Sequence, residues 1–145
     1  MFFTTSSFNE RVNSFEKPKI KKNYRSYLKD VKKSLSKFGS FEAAYNAHRF
    51  NLEIKGCVQI KHYVLDSYNS RGSKDGYRLI FLCIPDRDEN GSIKKPITGN
   101  IYLQDLYPKR GDLHTENLTD DRFVELCEIC FSDIAKGDVV PFPVP

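Results

Sequence analysis

The chain has 145 residues, 39% of them hydrophobic and 29% charged, with a formal net charge of +4. This composition excludes a disordered or fibrous chain and fits one folded domain of common size, with eleven Phe and eight Tyr for its core. No run approaches the ~18 apolar residues that a membrane span needs. The first residues, Met1 to Ser7, also lack the basic start and apolar stretch of a secretory leader, so a cytoplasmic chain with reduced thiols is expected.

In chain order, a short strand is expected at Phe2–Phe8, then a turn or half-helix at Asn9–Phe15, with Pro18 interrupting. Ile20, Tyr24, Tyr27, Leu28, Val31, Leu35 and Phe38 recur at three- and four-residue spacing and predict a helix over Lys19–Phe38, with lysines on its other faces. Gly39 stands where a helix stops, and Ser40 caps a second helix over Phe41–Phe50. The pattern then turns to strands: Cys57–Leu65, Tyr77–Ile84 and Ile97–Leu106, joined by a polar loop at Asp66–Asp75 and a long connection at Asp86–Pro96. Thr119 caps a last helix, Asp120–Ala135, and the terminal VVPFPVP reads as extended or disordered. The expected architecture is α+β: an antiparallel sheet of three to four strands with an N-terminal helical pair and a C-terminal helix against one face. The other face is left open for a ligand. Residues 1–137 form one domain and 138–145 a Pro-rich tail.

Charge is unevenly spread. Nine cations and one acid fall between Lys17 and Lys37, whereas eight acids and two cations lie from Asp112 onward. A basic face with an acidic terminal element is compatible with binding a polyanion on one side, and also with ordinary solvated helix surfaces. Cys127 and Cys130 form a C-x-x-C pair, but they fall in the apolar pattern of the last helix and no second pair is spaced to complete a zinc site, so they read as core. No metal or cofactor is expected. If Tyr77–Ile84 and Ile97–Leu106 pair as a hairpin, Arg78 at the start of one strand meets Lys109 and Arg110 just past the end of the other. Three cations at one sheet edge suit a phosphate backbone.

Residues 70–81, SRGSKDGYRLIF, resemble the Gly/Ser-rich loop and Gly-Tyr-Arg strand of the RelE/ParE toxin superfamily, on its RelE and HigB side. IYLQDLYPKR at 101–110 resembles that family's last strand and basic turn, and ENLTDD at 116–121 before a helix resembles the C-terminal element of HigB-like members. The likeness spans about Cys57 to Ile134. It implies a RelE-like fold and the toxin of a type II toxin–antitoxin pair: a metal-independent mRNA endoribonuclease acting on the ribosome and held by a cognate antitoxin. The 2′-hydroxyl attacks its own phosphate, and the protein moves protons and stabilises charge.

By this resemblance Arg78 is assigned to the scissile phosphate, with Lys109 and Arg110 as phosphate contacts or proton donors. Lys61, opposite in alternation to Ile60, is a candidate base, provided that neighbouring cations lower its pKa. Arg71 and Lys74 in the loop are expected to grip the RNA backbone, and Tyr77 and Tyr107 to stack on bases or else to pack in the core. His62 alternates with Lys61 and reads as a packed or edge histidine. His114 follows the basic turn within reach of the site, and His48 reads as structural. The competing reading is a non-enzymatic module that binds nucleic acid or protein through Lys19–Phe38, or that poisons another enzyme as ParE-type members do.

Overall fold

The computed structural model describes residues 1–13, 24–47, 51–109 and 119–145. The elements are β1 (Phe2–Thr5), α1 (Ser6–Asn13), α2 (Tyr24–Ser36), α3 (Phe41–Tyr45), β2 (Asn51–Ile54), β3 (Cys57–Val64), β4 (Tyr77–Pro85), β5 (Gly99–Pro108), α4 (Asp120–Ala135) and β6 (Val139–Pro141). They build an α+β fold around a six-stranded mixed sheet of order β2-β3-β4-β5-β1-β6. The sheet is therefore larger than the expected three or four strands, and it is not purely antiparallel. β1 lies parallel to β5, with Phe2 opposite Ile101, and β6 lies antiparallel to β1, with Thr4 opposite Val140. The VVPFPVP segment, expected as a loose tail, thus supplies an edge strand, and Phe142 beyond it is buried. Proline suits this place, because an edge strand can spare an N–H.

Both faces of the sheet carry helices, which corrects the expectation of an open face. β4 shows why. Tyr77, Leu79, Phe81 and Cys83 face α1, α2 and α3, where they meet Phe8, Val12, Tyr27, Val31 and Leu35. The alternate residues Ile80 and Leu82 face α4, where Phe123, Leu126, Cys127 and Cys130 cover them. A strand apolar on both sides has to be buried on both sides. Each large side chain so buried contributes about 1.5–3 kcal/mol.

Two buried glutamines anchor α4. β5 carries a bulge, because Ile80 opposes Asp105 while Phe81 opposes Leu103, leaving Gln104 as the extra residue. Gln104 Nε2 donates to the Leu126 carbonyl at 3.1 Å, and Gln59 Nε2 donates to the Phe123 carbonyl at 3.1 Å and to Gln104 Oε1 at 2.9 Å.

Element boundaries also differ. The strand expected at Phe2–Phe8 ends at Thr5, and α1 takes Ser6–Asn13 where a turn or half-helix was expected over Asn9–Phe15, of which residues 14 and 15 lie outside the described residues. The helix expected over Phe41–Phe50 ends at Tyr45, and β2 follows at Asn51–Ile54. β2 turns into β3 through Lys55 and Gly56, both with positive φ (52° and 76°), the backbone of a tight two-residue hairpin. Among the described residues, no helix is long and apolar enough to cross a membrane.

Candidate nucleic-acid interface

The β4–β5 hairpin forms with Arg78 opposite Tyr107 and Tyr77 opposite Pro108. Lys109 then donates its backbone N–H to the Gly76 carbonyl at 2.8 Å. Gly76 is confined here: a Cβ would collide with the Val64 carbonyl oxygen. Lys61 opposes Ile80 on the neighbouring strand, and Tyr63 opposes Arg78. By strand alternation, Lys61, Tyr63, Arg78, Tyr107 and Lys109 belong to the α4 side of the sheet, at the end where the hairpin opens. Lys61 and Lys109 are half-buried and Lys74 is exposed. Arg110, His114 and His48 lie outside the described residues.

Arg78 does not present its charge to solvent. It is 4% exposed. Its Nη1 donates to the carbonyls of Ser73 at 3.1 Å and Tyr77 at 3.4 Å, and its Nη2 donates to that of Lys74 at 2.7 Å. The guanidinium carbon sits 3.8 Å from the centroid of the Tyr63 ring. The assignment of Arg78 to the scissile phosphate is corrected accordingly. The planar, multi-donor head that suits a phosphate here fastens the loop between β3 and β4.

That loop is braced from two further sides. Asp66 is buried and accepts from the Asn69 backbone N–H at 3.1 Å and the Asn69 side-chain amide at 2.7 Å, while its backbone pairs with that of Arg71. Asp30, buried on α2, accepts from the Ser67 N–H and hydroxyl, each at 2.9 Å on the same carboxylate oxygen. The loop therefore holds Arg71 and Lys74 on a fixed backbone.

Base stacking by Tyr77 and Tyr107 is also corrected, since each is 1% exposed. Tyr77 packs edge-on against Tyr27 with centroids 4.7 Å apart, and burial together with Tyr27 and Asp66 pushes its hydroxyl pKa up. Tyr107 packs with Ile80 and Phe123; burial pushes its pKa up to about 12 against the opposing pull of Arg78, and among the described residues its hydroxyl has no hydrogen-bond partner. All four cysteines are free and buried. Burial pushes the Cys83 and Cys130 thiols up to about 12, which keeps them protonated and unreactive.

A second feature lies on the outer edge of β3. Among the described residues, β2 pairs with Cys57–Ile60 of β3. Beyond that point a cavity of about 390 Å³ opens between β3 and α2, lined by Asp30, Lys33, Ser34, Lys37, His62 and Tyr63 among others. His62 and Tyr63 are neighbours of opposite alternation, so the cavity wraps the strand's edge rather than lying on one face. His62 Nε2 is 2.7 Å from Ser34 Oγ. Ser73 also lines this cavity. Arg78, through the Tyr63 ring and the Ser73 carbonyl, therefore sets the wall between the cavity and the cationic end of the sheet. Sequence reasoning missed Ser34, Lys33, Lys37 and Asp30 as site residues. Their only signal is a lysine-rich helix face interrupted by Asp30 and Ser34 one turn apart.

No protein-family model matches the chain, and no curated protein or solved structure matches it either.

Proposed function

We propose that this chain is an RNA-directed toxin of a type II toxin–antitoxin module, with a RelE-like domain that cleaves mRNA without a metal on the ribosome in the cytoplasm. The observation that carries the reading is the hairpin register. It brings Lys109 to Gly76, beside the Arg78-fastened loop with Arg71 and Lys74, and sets Lys61 on the same side of the adjacent strand. Cations held on strand ends and on a braced loop stabilise a polyanion with little reorganisation. In the reaction, the 2′-hydroxyl gives its proton to a base as the O2′–P bond forms, the P–O5′ bond breaks and O5′ takes a proton from water, while cations along the bound strand offset its charge. Arg78 acts in this scheme by positioning the loop and Tyr63.

A partner follows from the same charge. The lysine-bearing surface of α2 suits an acidic or amphipathic segment of a small antitoxin, with association hastened by steering. The stable complex should bury more than about 1,000 Å². The second reading, a non-enzymatic binding module or an enzyme poison of ParE type, is favoured by one observation: the Arg78 head is turned to backbone carbonyls. Expression in a host cell with primer extension on a reporter transcript separates the two. Growth arrest with mapped cuts supports the nuclease, arrest with intact transcripts supports the poison, and co-expression with the neighbouring gene should relieve either.

A further inference from the structure

The cavity on the outer edge of β3 holds an acid–base group, His62. His62 is half-buried, with its ring 5.0 Å from Phe38 and 6.1 Å from Phe81 between centroids, so its orientation is set by packing. Ser34 Oγ meets His62 Nε2 at 2.7 Å, and both residues line the cavity. Lys33 in the last turn of α2 and Lys37 just past its end bring positive charge to the same space. The one carboxylate in the lining, Asp30, already accepts two hydrogen bonds from Ser67. Two lysines, an imidazole and two hydroxyl-bearing serines around one satisfied carboxylate favour an anion with exchangeable protons. A phosphate group fits that description.

We propose that this cavity takes a phosphodiester of single-stranded RNA and that His62 exchanges the proton of the reacting 2′-hydroxyl, an assignment that rests on the RNA-cleaving reading above. Tyr63 and Ser73 line the cavity and also touch the Arg78 guanidinium, by ring and by carbonyl. Lys74 follows Ser73 in the loop that lines the cavity, so a chain of phosphates can meet both the cavity and that exposed cation, which an isolated phosphate would not need. His62 Nε2 accepts the 2′-hydroxyl proton as the O2′–P bond forms. The P–O5′ bond breaks, O5′ takes a proton from water, and the products carry a 2′,3′-cyclic phosphate and a 5′-hydroxyl. Ser34 is a positioning residue, holding the ring until the substrate hydroxyl arrives. Lys33 and Lys37 offset the phosphoryl charge.

The test combines two measurements on the full chain. The ring protons of His62 are followed by NMR while an RNA oligonucleotide with one 2′-deoxy position, which cannot be cut there, is titrated in. Cleavage of the unmodified oligonucleotide is timed for the wild type, His62→Gln and Ser34→Ala across pH. The expected result is a saturable shift of the His62 ring, weakened by Lys33→Ala together with Lys37→Ala. His62→Gln should cut about a hundredfold more slowly or worse while still binding the oligonucleotide. Ser34→Ala, the variant less exposed to misfolding, should displace the limb of the pH–rate profile in the histidine range and leave affinity unchanged. Absence of a saturable shift at His62 overturns the site, whatever the cleavage assay gives. A shift with undiminished cleavage by His62→Gln overturns the proton role. A shift with no cleavage by the wild type removes the nuclease reading and the proton role with it, and leaves the cavity as a phosphate site.

Discussion

The guanidinium of Arg78 lies over the ring of Tyr63, 3.8 Å from its centroid, and from there reaches the carbonyls of Ser73 and Lys74. One buried cation thus ties two strands and a loop together, and it separates the edge cavity from the cationic end of the sheet. Arg78→Ala strands these carbonyls and removes the stacking. With charged hydrogen bonds contributing about 1.5–3 kcal/mol and a desolvated cation–π contact up to about 2, the variant should lose about 2–4 kcal/mol in urea unfolding. Arg78→Lys should recover only part of this, because an ammonium cannot reach several carbonyls in one plane. A loss below about 0.5 kcal/mol, the range of ordinary surface substitutions, contradicts the fastening role.

Gln104 is the extra residue of the β5 bulge and holds the Leu126 carbonyl of α4 and the amide of Gln59. Gln104→Ala removes the second donor to the Leu126 carbonyl and one of the two acceptors of the Gln59 amide, which keeps the Phe123 carbonyl, so a destabilisation of about 1–2 kcal/mol is expected. Hydrogen exchange should show the first turns of α4 opening more readily. Unchanged protection of Phe123 to Cys127 would remove the two-glutamine anchor.

Asp105 sits beside the bulge, where burial pushes its carboxyl pKa above the usual range against the pull of Arg11, 3.1 Å away. A raised acid pKa means that the folded state holds the proton more tightly than the unfolded one. Its contribution is complete below the unfolded value of about 3.9 and is lost as pH rises through the folded value. Asp105→Asn should therefore remove a component of stability that declines with rising pH from about 4 upward. Melting curves of both proteins from pH 3 to 8 check this; parallel pH profiles would contradict it.

The strands were legible because their signals are local: β4 runs from Leu79 to Pro85 without a polar side chain, and β5 carries Ile101, Tyr102, Leu103, Leu106 and Tyr107. The helix caps at Ser40 and Thr119 were legible for the same reason, and both side chains accept from the N–H three residues on. The second covered face was available in the same run, since both alternations of β4 are apolar, but periodicity within α4 does not say which face of the sheet it covers. β2 was missed because NLEI is four residues long and owes its place to pairing with β3. β6 was missed because three prolines in seven residues argue against a strand anywhere except an edge. Arg78 shows the deeper limit. Its position beside Lys109 follows from hairpin register, but where its head points depends on how the Asp66–Asp75 loop folds back, and no pattern in that loop encodes the carbonyls it offers. The pairing of Ser34 with His62 links residues 28 apart and exists only after α2 has docked on β3.

Lys61 and Lys109 flank the hairpin end on one side of the sheet. Lys61→Ala and Lys109→Ala should each weaken RNA binding across all sequences. Each should also reduce the slope of log affinity against log salt by about 0.7, the share of one phosphate that is no longer neutralised. Neither should alter the melting temperature much, as both lysines are outside the hydrophobic clusters. A salt slope unchanged in the double variant would place the RNA elsewhere.

On the proposed reading, the chain cuts RNA with its own side chains. The direct measurement is incubation of the purified protein with a defined single-stranded RNA and with programmed ribosomes, in excess chelator, with the ends of the fragments identified by mass. The account predicts fragments that carry 2′,3′-cyclic phosphate and 5′-hydroxyl ends, formed at undiminished rate in the chelator. Intact RNA under both conditions, at protein concentrations that saturate its binding, would contradict it.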